Sequence, residues 1–317
     1  MPAASTVSAA LARHAAPNAL PIAMAVIAVA ITLLEPAFMS TDNLVGIVRQ
    51  VAIIGIMATC MTFVIMTGGI DLSVGPVLAL AGLVSFYCLQ AELPLVVVIA
   101  AGLSVGLIVG LTNGLIIAFL GLPPIIVTLA MLGIVRGTAL IVGGPEQHLI
   151  RNEPAYSFIG TGTLLGLPFA VYVFAAVAVL MILVQRRTPL GLLVAAIGDN
   201  ERAAWLSGHR IRLTKTAVYA ISGTGAALAG IILSSQVHTA LATYGPFGTE
   251  LDVIAAVVLG GTSIMGGNGS VARTLLGVFF LGLLNNGMNI LNVPIDIQLI
   301  AKGAIIVAAL AVAARRG

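Results

Sequence analysis

The chain has 317 residues, of which 60% are apolar and 8% charged, with a formal net charge of +3 and a mean hydropathy of +1.15. A soluble domain carries about 25% charged residues, so this composition excludes a globular protein covered by water, and no nucleic-acid partner is expected of it. Several apolar runs approach or exceed the roughly 20 residues that cross a bilayer as a helix. Only helices and closed barrels satisfy their backbones in lipid, and the long unalternating runs select an all-α integral membrane protein.

In chain order, a short tail (1–18) precedes ten expected crossings, at 20–38, 46–67, 71–89, 94–119, 124–142, 168–185, 216–235, 251–266, 271–290 and 297–314. The chain reads as one transmembrane domain over 1–317. Many crossings are bounded by Gly, Pro or Asn, which are helix-end and turn signals. Two longer polar stretches interrupt them, at 143–167 and 186–215.

Basic residues collect on the cytoplasmic side of such a stack. With ten crossings, Arg13, Arg186, Arg187, Arg202, Arg210, Arg212, Lys215, Arg273, Arg315 and Arg316 fall on one side, ten of the fourteen Lys and Arg. Both termini and the 186–215 loop are therefore expected in the cytoplasm.

A faint internal echo pairs the spans. "IDLSVGPVLALAG" (70–82) resembles "LDVIAAVVLGG" (251–261), and Asn113-Gly114 before Pro123 matches Asn286-Gly287 before Pro294. The echo relates spans 2–5 to spans 7–10 in inverted orientation, an arrangement found in transporters. Chance similarity between apolar helices is the alternative.

Within the 186–215 loop, Asp199 or Asn200 can cap a short helix, "NERAAWL", that ends at Ser207-Gly208. Trp205 and Leu206 give it an apolar side. Such a helix either rests on lipid headgroups or docks in a groove of a soluble partner. Neither lysine, Lys215 or Lys302, follows the glycines of a phosphate-cradling loop, so an ATP-driven function requires a second polypeptide.

Six motifs occur in order: "MTGGIDLSVGPVLALAG", "TNGLIIAFLGLPPIIVTLAMLGIVRGTALIVGG", "AAIGDNERAAWLSG", "YAISGTGAALAGIILSSQ", "ELDVIAAVVLGGTSIMGGNGS" and "LLGVFFLGLLNNGMNIL". Over roughly residues 40–312 the chain thereby resembles the permease subunits of bacterial ABC sugar importers of the ribose, arabinose, xylose and galactose type. The resemblance implies a multi-pass protein of the bacterial inner membrane. It also implies a separate ATP-binding subunit, a periplasmic solute-binding protein, and a second permease copy, identical or similar, with lipid around the assembly. It implies that Gly198, Asp199, Asn200, Glu201, Arg202, Ala203, Ala204, Trp205, Leu206, Ser207 and Gly208 form the helix that couples to the ATPase. The small Ala203-Ala204 pair suits close approach of a partner.

Polar residues inside the spans are the candidates for a translocation path or gate. Asp71 follows the Gly68-Gly69 reversal and can cap span 3 through the N–H groups near Ser73 and Val74, or act as a gate, with Ser73 beside it as a further path or gate candidate. Asn113, Asn285, Asn286 and Asn289 can bond sugar hydroxyls or tie helices together, and Asn286 and Asn289 share a helix face. Thr128 and Met131 of span 5 are candidates to line the path, and Arg136 is expected to pair with an acid. Gly102, Gly106, Gly110 and Gly114 form a stripe for close helix packing. The four histidines are scattered, so no metal is expected, nor any cofactor or catalytic group. The rival readings are a stand-alone secondary transporter or channel, which fits the echo, and a membrane enzyme, which would need clustered catalytic residues.

Overall fold

The computed structural model describes residues 19–245 and 248–314. The tail expected over 1–18, with Arg13 and His14, and the terminal Arg315 and Arg316 lie outside the described residues. Helix α1 (Ala19–Leu34) leads through a 3-10 turn (Pro36–Met39) into α2 (Thr41–Met66). Then follow α3 (Val74–Gln90), α4 (Leu95–Leu120), α5 (Pro124–Gly143), α6 (Pro154–Thr161), α7 (Phe169–Arg187) and α8 (Pro189–Leu206). The last four are α9 (Ile211–Val237), α10 (Thr249–Leu259), α11 (Val271–Ile290) and α12 (Ile295–Ala314). Among the described residues, strand structure is confined to two short antiparallel pairs: β1 (His148–Leu149) with β4 (Thr239–Ala240), and β2 (Thr163–Leu164) with β3 (Leu167–Pro168).

The protein is thus all-α in its spanning parts. Among the described residues, six helices, α2, α4, α5, α7, α9 and α11, are long and apolar enough to cross a membrane, and α1 and α3 are shorter apolar helices. Local chemistry sets many of their ends. Ser40 accepts a hydrogen bond from Asn43 N at 3.3 Å to cap α2, and Ser270 accepts one from Arg273 N at 3.4 Å to cap α11. Proline occupies the first turn of α5, α6 and α8, where its missing N–H has no cost.

Helix α9 runs through the centre, against α4, α3 and α2. The α4 glycine stripe makes this approach close. A Cβ on Gly106 would collide with the Gly223 carbonyl, and one on Gly114 would sit 2.6 Å from Thr216 Cα. The apolar core then fills the space between α2, α3, α7, α9, α10 and α11.

Two elements differ from expectation. The crossing expected at 251–266 is an 11-residue helix, α10, because Gly260-Gly261 stops it and Gly261, Gly266 and Gly267 all take positive φ. The polar loop expected over 186–215 is helical for much of its length. Thr188 is extended at φ −117°, ψ 157°, and Pro189 starts α8 over a run, LGLLVAAIG, that is mainly apolar.

Candidate functional site: a buried carboxylate and an exposed elbow

The reversal between α2 and α3 places Asp71 inside the bundle. Gly68 takes φ +75°, which turns the chain after Thr67. Asp71 is fully buried. Its Oδ1 accepts from Ser73 N at 3.0 Å and from Ser73 Oγ at 2.6 Å. Its Oδ2 accepts from Ser222 Oγ of α9 at 2.9 Å. Asn113 Nδ2 of α4 donates to Ser73 Oγ at 3.0 Å. Thr128 Oγ1 of α5 donates to the Ile70 carbonyl at 3.0 Å. One short segment is therefore held by side chains of three other helices. The Asp71 carboxylate does more than turn the chain into α3, because it also joins α3 to α9.

The remaining path candidates are placed differently. Met131 is buried one turn beyond Thr128 in α5. Asn286 and Asn43 exchange two amide hydrogen bonds, at 3.0 and 2.8 Å. Asn289 Oδ1 accepts from Gln298 Nε2 at 2.9 Å. Asn43 begins α2 and Asp71 follows its other end. A helix of 26 residues is roughly 39 Å long at 1.5 Å per residue, so these asparagines do not join the Asp71 cluster. Their amides tie helices together. Asn285 lines a small cavity with Asp252 and Gln50.

The expected acid near Arg136 is Glu250, which acts on it by charge, whereas its hydrogen bonds go to backbone. Its guanidinium donates to the carbonyls of Ala242, Tyr244 and Gly245, in the segment after β4. The groups that sequence reasoning missed are Ser222, this carbonyl cage, and Gln185, whose side chain bonds to Gly269 O and Val271 N. Ser222 lies in a helix rich in Ser, Thr and Gly, so no pattern marks it out. Gln185 is the last residue before the Arg pair that ends α7, and its isolation in that apolar helix is a usable signal.

At the other candidate region, α8 breaks at Asn200 (φ −160°, ψ 97°). Asn200 Oδ1 then accepts from Ala203 N at 2.9 Å, so it is Asn200 that caps the elbow helix. Ser207 N donates to Ala203 O at 3.0 Å, and Gly208 closes the helix at φ +80°. Glu201 pairs with Lys215 of α9 at 2.7 Å. Trp205 and Leu206 are 65% and 71% exposed, while Ala204 is only 6% exposed, turned onto Ile197 and Ile211. The outward face of the elbow thus carries Arg202, Ala203, Trp205 and Leu206, and Ala204 belongs to its underside. Asp199, Ser207 and Gly208 are exposed at the ends of the elbow, and Gly198 lies partly covered at its root.

Among the described residues, no group of three His, Cys, Asp or Glu could hold a metal ion. Cys60 and Cys88 are both free.

Comparison with known proteins places this arrangement. The family model described as "Branched-chain amino acid transport system / permease component" matches residues 43–310. The ribose import permease protein RbsC of Haemophilus influenzae is 39% identical, over 91% of this chain and 90% of the relative. RbsC of Bacillus subtilis is 40% identical, over 90% and 88%. The L-arabinose ABC transporter permease protein AraH of Azospirillum brasilense is 34% identical, over 88% and 82%. No solved structure matches the chain. With both the buried reversal and the elbow inside the matched region, the chain belongs to this family of transport-system permease components.

Proposed function

We propose that the protein is the membrane permease of an ATP-driven importer and moves a sugar or sugar-like polyol from periplasm to cytoplasm. The observation that carries this reading is the near full-length likeness to permeases named for ribose and arabinose. ATP hydrolysis belongs to a separate cassette subunit, and a periplasmic binding protein delivers the solute. Two permease copies, identical or similar, enclose the path.

In this reading the chain makes ten crossings, the one begun by the short α10 being completed by the glycine-rich segment that reaches Gly198 and Met66, with both termini and the elbow in the cytoplasm, and its halves form an inverted repeat. The family is supported by six apolar helices of spanning length. The repeat reading is supported by the echo between residues 70–82 and 251–261, with a glycine at positive φ ahead of each helix, Gly68 before α3 and Gly248 before α10. The elbow, Gly198 to Gly208, receives the cassette subunit on Trp205, Leu206 and Ala203. The Asp71, Ser73, Asn113 and Thr128 group, with Met131, forms the inner end of the gate, whereas Asn286 and Asn289 hold its outer frame.

Proteoliposomes test the reading. Permease reconstituted with the cassette subunit and a binding protein is expected to accumulate the sugar only with ATP inside the ATPase compartment. Full uptake by the permease alone would overturn it in favour of a stand-alone carrier. Thermal-shift screening of the binding protein against pentoses, hexoses, polyols and branched-chain amino acids identifies the solute. Stabilisation by the amino acids alone would overturn the sugar assignment.

A further inference from the structure

Three backbones meet at the root of the elbow with no side chain between them. A Cβ on Gly198 of α8 would collide with the Met66 carbonyl and with Gly267 N. Gly267 N donates to that same Met66 carbonyl at 2.9 Å. A Cβ on Gly266 would lie 2.9 Å from Gly198 Cα and 3.0 Å from Gly68 N. Gly267 abuts the Asp199 carboxylate. The end of α2, the stem of α8 and the 266–269 loop are thus in direct main-chain contact.

Gln185 fastens the same point from α7. Its Nε2 donates to Gly269 O at 3.1 Å and its Oε1 accepts from Val271 N at 2.9 Å. A contact between main chains has no rotamers to absorb a displacement, so it transmits rather than yields. On one side of the contact, two residues away, Asn200 begins the elbow helix. On the other side, Met66 is followed by the reversal that ends at Asp71. The elbow and the buried carboxylate are therefore joined through one main-chain contact and the five residues that follow Met66, ending at Asp71.

We propose that Gly198 is a positioning residue for transport: its missing side chain lets α8 bear directly on Met66 and Gly267, so that movement of the elbow shifts the Asp71 reversal. This inference rests on the importer reading above. The elbow bends at a single capped residue, Asn200, and is tied to α9 by Glu201 and Lys215. Displacement of the elbow therefore reaches Gly198 without an intervening loop. Coupling between two sites is reciprocal, so a change at Asp71 must alter how tightly the elbow binds its partner, and Gly198 must be needed for that effect.

The test is a double-mutant cycle on the full chain in nanodiscs, titrated with the cassette subunit. Trp205 is the single tryptophan of the chain and lies on the elbow, so its emission reports docking. Asp71→Asn is expected to change the cassette-subunit Kd by three-fold or more in the otherwise native chain. In the Gly198→Ala background the same substitution is expected to change it by less than two-fold. In the reconstituted importer, Gly198→Ala is expected to lower uptake at least ten-fold and to raise the ATP consumed per sugar moved. If Gly198→Ala does not insert, Asp199→Ala loosens the same contact without adding atoms, and the cycle is run on it. Equal effects of Asp71→Asn in both backgrounds, or none in either, would overturn the proposal. An absence of any Trp205 response to the cassette subunit would instead overturn the importer reading on which it rests.

Discussion

Ser222 Oγ donates to Asp71 Oδ2 at 2.9 Å, joining positions 151 residues apart. The bond crosses from the centre of α9 to the reversal before α3. The opposite carboxylate oxygen is already taken by Ser73. Ser222 thus supplies the hydrogen bond by which this acid restrains α9. A buried hydrogen bond to a charged or strongly polar acceptor is worth about 1–3 kcal/mol. Ser222→Ala is expected to lower stability by an amount in that range, read as a drop in the thermal midpoint of the purified protein in detergent. An unchanged midpoint would show that the link contributes nothing to folding.

The α4 stripe allows a contrast within one residue type. Gly106→Ala would push a methyl group into the Gly223 carbonyl, whereas a Cβ on Gly137 of α5 meets nothing within 4 Å. Overpacking costs about 1–3 kcal/mol. Gly106→Ala is expected to lower the thermal midpoint and the monodisperse yield. Gly137→Ala is expected to leave both unchanged.

The two alanines of the elbow are expected to separate docking from folding. Ala203 is exposed and Ala204 faces Ile197 and Ile211. Ala203→Arg should insert and melt like the native chain but lose cassette-driven uptake by ten-fold or more. Ala204→Arg places a charge beneath the elbow and should lower the thermal midpoint itself. The pair is read by melting and uptake assays side by side. Normal uptake by Ala203→Arg would remove the docking role from this face.

The reciprocal amides of Asn43 and Asn286 predict a coupling in stability and none in selectivity. Interhelical hydrogen bonds in bilayers contribute roughly 0.6–2 kcal/mol. A double-mutant cycle of Asn43→Ala and Asn286→Ala, followed by thermal denaturation, is expected to return an interaction energy in that range. Sugar competition profiles of the variants should match the native protein. A changed sugar order would restore these amides to the translocation path.

Much of the fold was legible in the linear pattern. Apolar runs bounded by Gly, Pro and Asn marked α2, α4, α5, α7, α9 and α11 within a few residues, because solvent class and helix ends are local properties. The elbow was legible for the same reason, since Asn200 caps it and Gly208 ends it by their own conformational preferences. The extra length of α8 was not legible. Its first turns are apolar and short, and only Thr188 and Pro189 announce them. The shortness of α10 was hidden in another way. "LGGTSIMGG" is apolar enough to continue a span, yet four of its glycines mark where the chain leaves the helix.

The candidate site was legible as a list and not as an arrangement. Asp71, Ser73, Asn113 and Thr128 stood out as polar residues among apolar ones, and the fold brings them together. Asn286 and Asn289 stood out equally, and the fold uses them elsewhere. In a helix that is apolar all round, periodicity gives no contrast between faces, so the direction of a polar side chain cannot be inferred from its position.

The sequence by itself determined that the protein lives in lipid as helices, where many of those helices stop, and which permease family it resembles, because composition, caps and ordered motifs act over short stretches of chain. Only the tertiary structure decided which polar groups meet. Asp71 finds Ser222, Asn286 finds Asn43, and Gly198 comes to rest on Met66 and Gly267. Those pairings are set by how closely the glycine-lined helices approach, and that depends on the packing of the whole bundle.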